Sequence, residues 1–248
     1  MSDIIYFKHE EEEKSTNQEL FNQQLNIYQK VLHGNYMGHC EIYDILHNFL
    51  VNYLQKPFKM LDLGCGDACF IAQALANTNI ASYTGIDLSE IALEIAQSNM
   101  AIIPCEKHFQ QGDFSELTDE FLQQKEGSFN VIMASFALHH LLLPKKDVIF
   151  REIAKLLSAD GIFVLIDVIR KESEERETYI ERYLDDVKKR WSMLSPQEYL
   201  IVKNHISSSD FPETPQTLYE LGIKHNFNRS ECLYRDSLET TQLLCFYR

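Results

Sequence analysis

The chain has 248 residues, 45% of them hydrophobic and 24% charged, which is enough apolar material for one large domain or two small ones. Its formal charge is −14, from 37 acidic against 23 basic residues, and such a field repels nucleic acid phosphates and anionic lipid. We therefore expect neither nucleic acid nor a membrane as a partner.

The cellular location and the metal content of the protein are also predicted from its amino-acid sequence. The first residues, MSDIIYFKHEEEEK, lack the basic start and apolar core of a signal peptide, and no apolar run approaches the ~20 residues of a membrane span. A cytoplasmic protein is the expectation. The six cysteines have no C-x-x-C spacing, and His139 and His140 are the one adjacent pair among nine histidines, so no metal is expected.

The predicted elements begin with two helices between residues 18 and 53, separated by the break HGNYMGH. After Pro57, strands alternate with helices. The five predicted strands are KMLDLG, SYTGIDL, HFQQGDF, FNVIMASF and IFVLIDV, and Gly161 is predicted to close the helix before the last of them. This alternation predicts a parallel sheet with helices on both faces.

Beyond Arg170 the alternation stops. A charged helical stretch is followed by a capping box at Ser195 and Glu198 with a proline between them, and by another helix start at Thr214. The last segment, FNRSECLYRDSLETTQLLCFYR, predicts an antiparallel hairpin. The predicted fold class is α/β, with a doubly wound, seven-stranded, mostly parallel sheet and a C-terminal antiparallel hairpin.

Two glycines end the first strand in MLDLGCGDACF. In an open parallel sheet, ligands bind beyond the carboxyl ends of the strands, where Gly64 and Gly66 allow a tight turn and close approach of the backbone. Asp87 lies 21 residues after Gly66, at the end of the second strand, where a carboxylate can bind both hydroxyls of a ribose. The spacing predicts a nucleoside ligand.

A nicotinamide dinucleotide fits this pattern less well. Its G-x-G-x-x-G/A motif would place Cys69 at the third small position, and Asp62 would bring negative charge towards the pyrophosphate. Asp62 would instead favour a positively charged ligand. A nicotinamide-dependent oxidoreductase is retained as an alternative.

The motifs LDLGCGDA, GIDLS, GDF and ASFALHHL together resemble those of class I S-adenosylmethionine-dependent methyltransferases, over residues 60–168. The resemblance implies S-adenosylmethionine as cofactor and S-adenosylhomocysteine as product. Asp62 and the glycine turn would hold the methionine part, Asp87 the ribose and Asp113 the adenine amino group. Ala68 replaces the last glycine of the family motif. The implied cofactor-binding residues are Asp62, Gly64, Cys65, Gly66, Asp87, Leu88, Asp113, Phe114, Ser135 and Phe136.

The same resemblance places the methyl acceptor after the fourth strand. His139 and His140 follow that strand and are the candidate catalytic residues, because a neutral imidazole can accept the acceptor's proton. Capping and packing is the alternative role of this pair. Family motifs for methylating nucleic acid bases, arginine or catechols are absent there, which favours an O, N or C atom of a small molecule. The candidate substrate contacts are Tyr28, Tyr36, His39, Tyr179 and Tyr183.

We predict one methyltransferase domain over residues 1–248, active as a monomer or homodimer. It would comprise an N-terminal helical lid (1–56), a cofactor-binding core (57–169), an inserted helical cap (170–212), and a C-terminal helix and hairpin (213–248). Two alternative functions remain: a non-catalytic nucleoside-binding or scaffold protein of the same fold, and a protein methyltransferase.

Overall fold

The computed structural model describes residues 26–248. A first helix, α1, covers residues 26–33. The other helices are α2 (His39–Tyr53), α3 (Cys69–Leu75), α4 (Glu90–Asn99), α5 (Asp119–Lys125), α6 (Leu143–Leu156), α7 (Arg176–Arg190), α8 (Pro196–Ser209) and α9 (Pro215–Lys224). The strands are β1 (Phe58–Leu63), β2 (Ile80–Asp87), β3 (Glu106–Gln111), β4 (Phe129–Ser135), β5 (Leu157–Val168), β6 (Arg229–Arg235) and β7 (Thr241–Tyr247).

The strands form a seven-stranded sheet in the order β3-β2-β1-β4-β5-β7-β6. Strands β1 to β5 pair in parallel, and β7 pairs antiparallel with both β5 and β6. The predicted fold class, including the C-terminal hairpin, is confirmed. The order reverses between β1 and β4, so the expected ligand site lies beyond the ends of these two strands.

Both faces of the sheet are covered, because successive strand residues point to opposite sides. Met60 of β1 packs with Leu46 of α2 on one face. Leu61, the next residue, packs with Phe150 of α6 on the other. All four are buried, as expected where near-continuous apolar strands are covered by helices on both faces.

A third apolar cluster joins α1 to α7 and α8, and includes Tyr183, Trp191 and Ile206. The predicted capping box starts α8: the Ser195 hydroxyl accepts from the Glu198 N–H, and the Glu198 carboxylate accepts from the Ser195 N–H. That carboxylate also forms an ion pair with Lys30 of α1 at 2.7 Å. The described part of the predicted lid therefore contacts the predicted cap, and residues 1–25 lie outside the described residues.

The predicted end of the helix before β5 is wrong. The α6 helix ends at Leu156, and Gly161 lies inside β5, where the pairing with β4 shifts register. Gly161 also lacks the left-handed φ of a helix-closing glycine. A Cβ at this position would lie 2.9 Å from the Ser158 carbonyl oxygen, so the glycine permits a close backbone approach instead.

None of the helices within residues 26–248 combines the length and apolar character that crossing a bilayer requires.

Candidate active site

The turn after β1 is held by the neighbouring strand. The N–H groups of Gly64 and Cys65 donate to the Ile86 carbonyl oxygen at 2.8 and 3.1 Å. Gly64 and Gly66 have φ values of 73° and 53°, in the left-handed region that favours glycine. A Cβ on Gly64 would lie 2.9 Å from the Cβ of Ala137, so a side chain there would force one of the two segments to move.

We expect Gly64→Ala to lower the free energy of unfolding by more than the roughly 1–2 kcal/mol of left-handed strain, since the overlap with Ala137 adds to it. Urea titration would measure the change. Gly112→Ala is the matched control, because a Cβ at Gly112 would meet no heavy atom within 4 Å. Equal losses in the two variants would contradict the steric explanation.

A cavity of about 340 Å³ lies at this turn, between the ends of β1 and β4 and helices α2, α3 and α4. Six of the ten predicted cofactor-binding residues line it: Asp62, Gly64, Cys65, Gly66, Ser135 and Phe136. Tyr28 and His39, predicted as substrate contacts, line it as well. We call it the first cavity. Four predicted cofactor residues do not line it: Asp87, Leu88, Asp113 and Phe114.

The Asp62 carboxylate is 1% exposed and borders the first cavity. Its Oδ2 accepts a hydrogen bond from the Tyr83 hydroxyl at 2.7 Å, whereas Oδ1 has no hydrogen-bond partner among the described residues. Burial raises the pKa of Asp62 to about 7, although the Tyr83 hydrogen bond opposes the shift. A cationic group with N–H donors is the partner that this oxygen lacks.

The four residues outside the cavity lining lie close to the strand ends. The Asp87 carboxylate accepts from the N–H of Gly66 at 2.8 Å and from the N–H of Ser89 at 2.9 Å, so it braces the glycine turn. Asp113 accepts from the Ser115 N–H at 2.7 Å. Each carboxylate keeps acceptor sites for a ligand, since it has about four lone-pair positions. Leu88 is 66% exposed, and Phe114 lies beside Gly64.

Aromatic rings separate the first cavity from the next. The His39 ring lies 5.0 Å from the Phe70 ring and 4.8 Å from the Phe136 ring, measured between centroids. Burial lowers the pKa of His39 to about 4, so its imidazole is neutral at physiological pH. Phe136 has a φ of 50°, and its N–H donates to the Ile166 carbonyl oxygen at 2.7 Å, which fixes the ring at the end of β4.

A second cavity, of about 420 Å³, opens on the other side of this wall. Tyr28, His39 and Phe136 line both cavities. Its remaining walls are mostly apolar and come from α1, α7 and α8, and its polar end contains His139, His140, His205 and Asp210. The second cavity therefore offers space for an apolar body and polar groups for its head.

The other three predicted substrate tyrosines, besides Tyr28, fall in different places. Tyr183 lines the second cavity. Tyr36 stacks on Trp191, which also lines it, with ring centroids 5.3 Å apart and an interplanar angle of 8°. Tyr179 is completely buried and lines neither cavity, so the structure does not support a substrate contact for this residue.

The two predicted catalytic histidines have different surroundings. In buried His139, the ring nitrogen Nδ1 lies 2.5 Å from Oδ1 of Asp167. The backbone N–H of His139 donates to the other oxygen of that carboxylate. Burial alone would lower the pKa of His139, but the charges of Asp167 and Asp210 outweigh it and raise the pKa. Half-exposed His140 places Nδ1 3.2 Å from the Ser209 carbonyl oxygen, and desolvation and His139 lower its pKa to about 4.

Asp167 and Asp210 of this site were not predicted as functional, and His205 was not among the predicted substrate contacts. Asp167 is the next-to-last residue of β5 and follows an apolar run, much as Asp87 ends β2, and that position was a usable signal. Asp210 follows α8 in the stretch SSSDFPET, whose sequence carries no comparable signal. His205 lies on α8 amid ordinary helical residues. The pairing of β5 with β4 brings Asp167 to His139, and the packing of α8 brings Asp210 and His205 to the same site.

Known proteins are similar to this chain in sequence and in fold. Methyltransferase YcgJ of Bacillus subtilis is 29% identical over 155 residues, covering 61% of this chain and 58% of YcgJ. Carboxy-S-adenosyl-L-methionine synthase of Nautilia profundicola is 21% identical over 229 residues, covering 92% of this chain and 90% of that protein. The crystal structure of cyclopropane synthase MmaA2 from Mycobacterium tuberculosis superposes with a TM-score of 0.54 at 18% identity, over 78% of this chain and 63% of that one.

The sheet order, the glycine turn and the relatives define the class of protein as an α/β methyltransferase. The profile of the family described as "Methyltransferase domain" matches residues 54–222, more than half of the chain, and the chain belongs to this family. Its sequence and fold are those of the class I S-adenosylmethionine-dependent methyltransferases, the family whose cofactor is S-adenosylmethionine. The chain spans less than two thirds of the length of YcgJ, so its own acceptor does not follow from that relative.

Proposed function

We propose that the protein transfers a methyl group from S-adenosylmethionine to an O, N or C atom of a small molecule bound in the second cavity. One observation carries the proposal: the two cavities share a wall formed by Tyr28, His39 and Phe136. A donor in one cavity and an acceptor in the other would meet at this wall, and such alignment is a large part of catalysis by proximity.

The residues of the first cavity fit the cofactor. The buried Oδ1 of Asp62, which has no hydrogen-bond partner in the described part of the chain, suits the ammonium of its methionine part. The turn at Gly64 and Gly66 leaves room for close backbone approach. Asp87 and Asp113 lie at the next two strand ends and would bind the ribose hydroxyls and the adenine amino group. S-adenosylmethionine supplies an electrophilic methyl group on a positively charged sulfur.

The chain's own residues would perform the remaining tasks. The wall residues His39 and Phe136 exclude water from the donor side, since both are packed against other aromatic rings. His139 and His140 would bind the polar head of the acceptor and take the proton that an O–H or N–H acceptor loses. Asp167 fixes the orientation of the His139 ring through its Nδ1 contact.

The composition of the second cavity supports a small acceptor over a protein side chain. The cavity has the volume of a small-molecule site, and its walls are apolar apart from the histidine and aspartate end. The acidic net charge favours a neutral or cationic acceptor. A cytoplasmic location, a monomer or homodimer, and the division into lid, core and cap remain parts of this proposal.

Filling each cavity separately tests the assignment. Ile201 of α8 lines the second cavity and Ile91 of α4 lines the first, and neither is fully buried. We expect Ile201→Trp to suppress methyl transfer with unchanged S-adenosylmethionine affinity, because it occupies acceptor space. Ile91→Trp should instead weaken binding of the cofactor. Calorimetric titration and S-adenosylhomocysteine formation would measure the two effects, and loss of cofactor affinity in Ile201→Trp alone would contradict the assignment.

A further inference from the structure

Three imidazole rings surround one carboxylate oxygen at the polar end of the second cavity. Oδ1 of Asp210 lies 3.7 Å from Nε2 of His139, 3.5 Å from Nδ1 of His140 and 3.9 Å from Nε2 of His205. One ligand-type atom from each of His139, His140 and Asp210 lies within 4.8 Å of the others. Three potential ligands thus meet at one point, and His205 lies beside the oxygen of Asp210.

This oxygen is buried and unsatisfied. Asp210 is 3% exposed, and its Oδ1 has no hydrogen-bond partner within residues 26–248. The three nitrogen distances are too long for good hydrogen bonds, which have donor–acceptor distances of about 2.7–3.2 Å. A buried carboxylate oxygen without a partner is costly, so the arrangement favours a cation between the four groups.

The spacing matches that of ligands around a metal ion. Zinc bonds to nitrogen and oxygen of about 2.0–2.2 Å place tetrahedral ligand atoms about 3.3–3.6 Å apart. The nitrogen-to-oxygen distances at Asp210, 3.5–3.9 Å, need little contraction to reach that range. Hydrogen-bonded partners would be closer together, and unrelated side chains would be farther apart.

The outer contacts of His139 are also those of a metal site, whereas Nδ1 of His140 also lies 3.2 Å from the Ser209 carbonyl oxygen. A metal-binding histidine almost always donates its other ring N–H to a carboxylate or carbonyl oxygen, which orients the ring. Nδ1 of His139 lies 2.5 Å from Oδ1 of Asp167, which leaves Nε2 towards Asp210. The backbone is anchored too: the Phe211 N–H donates to the His139 carbonyl oxygen, and Arg176 donates to the Asp210 carbonyl oxygen, both at 2.7 Å.

We propose that His139, His140 and Asp210, with His205 as a fourth ligand, bind a divalent transition metal ion of the Zn²⁺ type. Imidazole nitrogens dominate the set, and they favour zinc, copper, iron or nickel over magnesium and calcium, which prefer all-oxygen sites. This proposal replaces the expectation of no metal that the sequence alone suggested. The separate positions of the ligands in the chain, 139–140 and 205–210, explain why their spacing did not predict it.

Metal binding would also define the acceptor more closely. A cation at this end of the second cavity lowers the pKa of a coordinated hydroxyl, so it favours acceptors that present an oxygen atom there. With the metal bound, His139 and His140 would act as its ligands in place of the proton-accepting role described above, and the coordinated hydroxyl would lose its proton to water. This consequence rests on the methyl transfer proposed above. The metal site itself does not, and it is testable without cofactor or acceptor.

The test is titration of the untagged, chelator-treated full chain with Zn²⁺ by calorimetry and with Co²⁺ by visible absorption. We expect one tight site, with the intense visible bands of cobalt in a low-symmetry nitrogen and oxygen environment. Asp210→Asn keeps the shape of the side chain but removes its charge. Asp167→Asn should weaken Zn²⁺ binding by about 10–100-fold, as loss of an outer carboxylate does, and Asp210→Asn by at least as much.

His108→Ala is the matched control, because it removes an exposed histidine whose Nε2 contacts only Glu106 among the charged groups described. It should bind Zn²⁺ as the unmodified chain does. If Asp210→Asn fails to fold, His205→Gln on the exposed side of the site provides the comparison, and it should also weaken binding. Absence of a tight Zn²⁺ site, or equal Zn²⁺ affinity in the folded ligand variants and the unmodified chain, would overturn the proposal.

Discussion

Replacing Asp62 with asparagine should weaken S-adenosylmethionine binding and stabilise the free protein at the same time. The carboxylate lies buried, one of its oxygens lacks a hydrogen-bond partner within residues 26–248, and a cationic ammonium is the group that would satisfy it. Removing the charged acceptor should cost about 2–4 kcal/mol of binding free energy, roughly 30- to 1,000-fold in affinity. Calorimetric titration with S-adenosylmethionine would measure this loss.

The gain in stability has a defined pH range. The pKa of Asp62 is raised from an ordinary value of 3.8 to about 7 in the folded protein, mainly by burial. Ionising it therefore costs folding free energy, which grows as pH rises from about 4 to about 7 and reaches on the order of 4 kcal/mol above that. Asp62→Asn should unfold at a higher temperature at pH 8, and at the same temperature below pH 4.

Cofactor affinity should change with pH for the same reason. The carboxylate binds an ammonium best when ionised, so affinity for S-adenosylmethionine should rise as pH increases through about 7, and Asp62→Asn should not show this rise. Asp67→Asn is the matched control, because Asp67 lines the same cavity but is only partly buried and already accepts from the Cys69 N–H. Similar losses of affinity in the two variants would contradict the special position of Asp62.

Replacing His139 with alanine should reduce methyl transfer by about 10²–10⁴-fold, the usual contribution of a positioned proton acceptor, and leave S-adenosylmethionine affinity unchanged. His139 lines the second cavity but not the first, which separates the two effects. Formation of S-adenosylhomocysteine with a filtered metabolite extract would measure turnover, and calorimetry would measure binding.

Two further variants serve as comparisons for His139→Ala, namely Asp167→Asn and His108→Ala. Asp167 would act through His139 as a positioning residue, so its variant should lower turnover less and change its pH profile. His108 is exposed and distant in the fold, at β3, and its variant should be fully active. Unchanged turnover in both His139→Ala and His140→Ala would remove the histidine pair from the reaction.

Local patterns explain what the sequence predicted correctly. The capping box at Ser195 and the alternating strands depend on residues within a few positions of one another. They can therefore be recognised in the sequence without knowledge of the fold. The glycine turn is similar: it needs only a strand, two glycines and the timed Asp87, which the structure indeed places against Gly66. The parallel pairing of β1 to β5 followed from the alternation of strands and helices.

Long-range packing explains what the sequence did not predict. Asp210 meets His139 only because α8 ends beside the turn after β4, 71 positions later in the chain. Tyr179 and Tyr183 share a helix face at a spacing of four, but only Tyr183 reaches the cavity. Gly161 was predicted to end a helix because the sequence does not distinguish two uses of glycine. One closes a helix, and the other allows a close approach of the backbone, as Gly161 does.

The most direct test of the account is to incubate the protein with methyl-labelled S-adenosylmethionine and a metabolite extract, and then to separate small molecules from macromolecules by filtration. The predicted result is label in a new compound in the filtrate, with an equal amount of S-adenosylhomocysteine, both abolished by filling the second cavity with Ile201→Trp. Label confined to the protein fraction, or bound cofactor without turnover in any extract, would contradict methyl transfer to a small molecule.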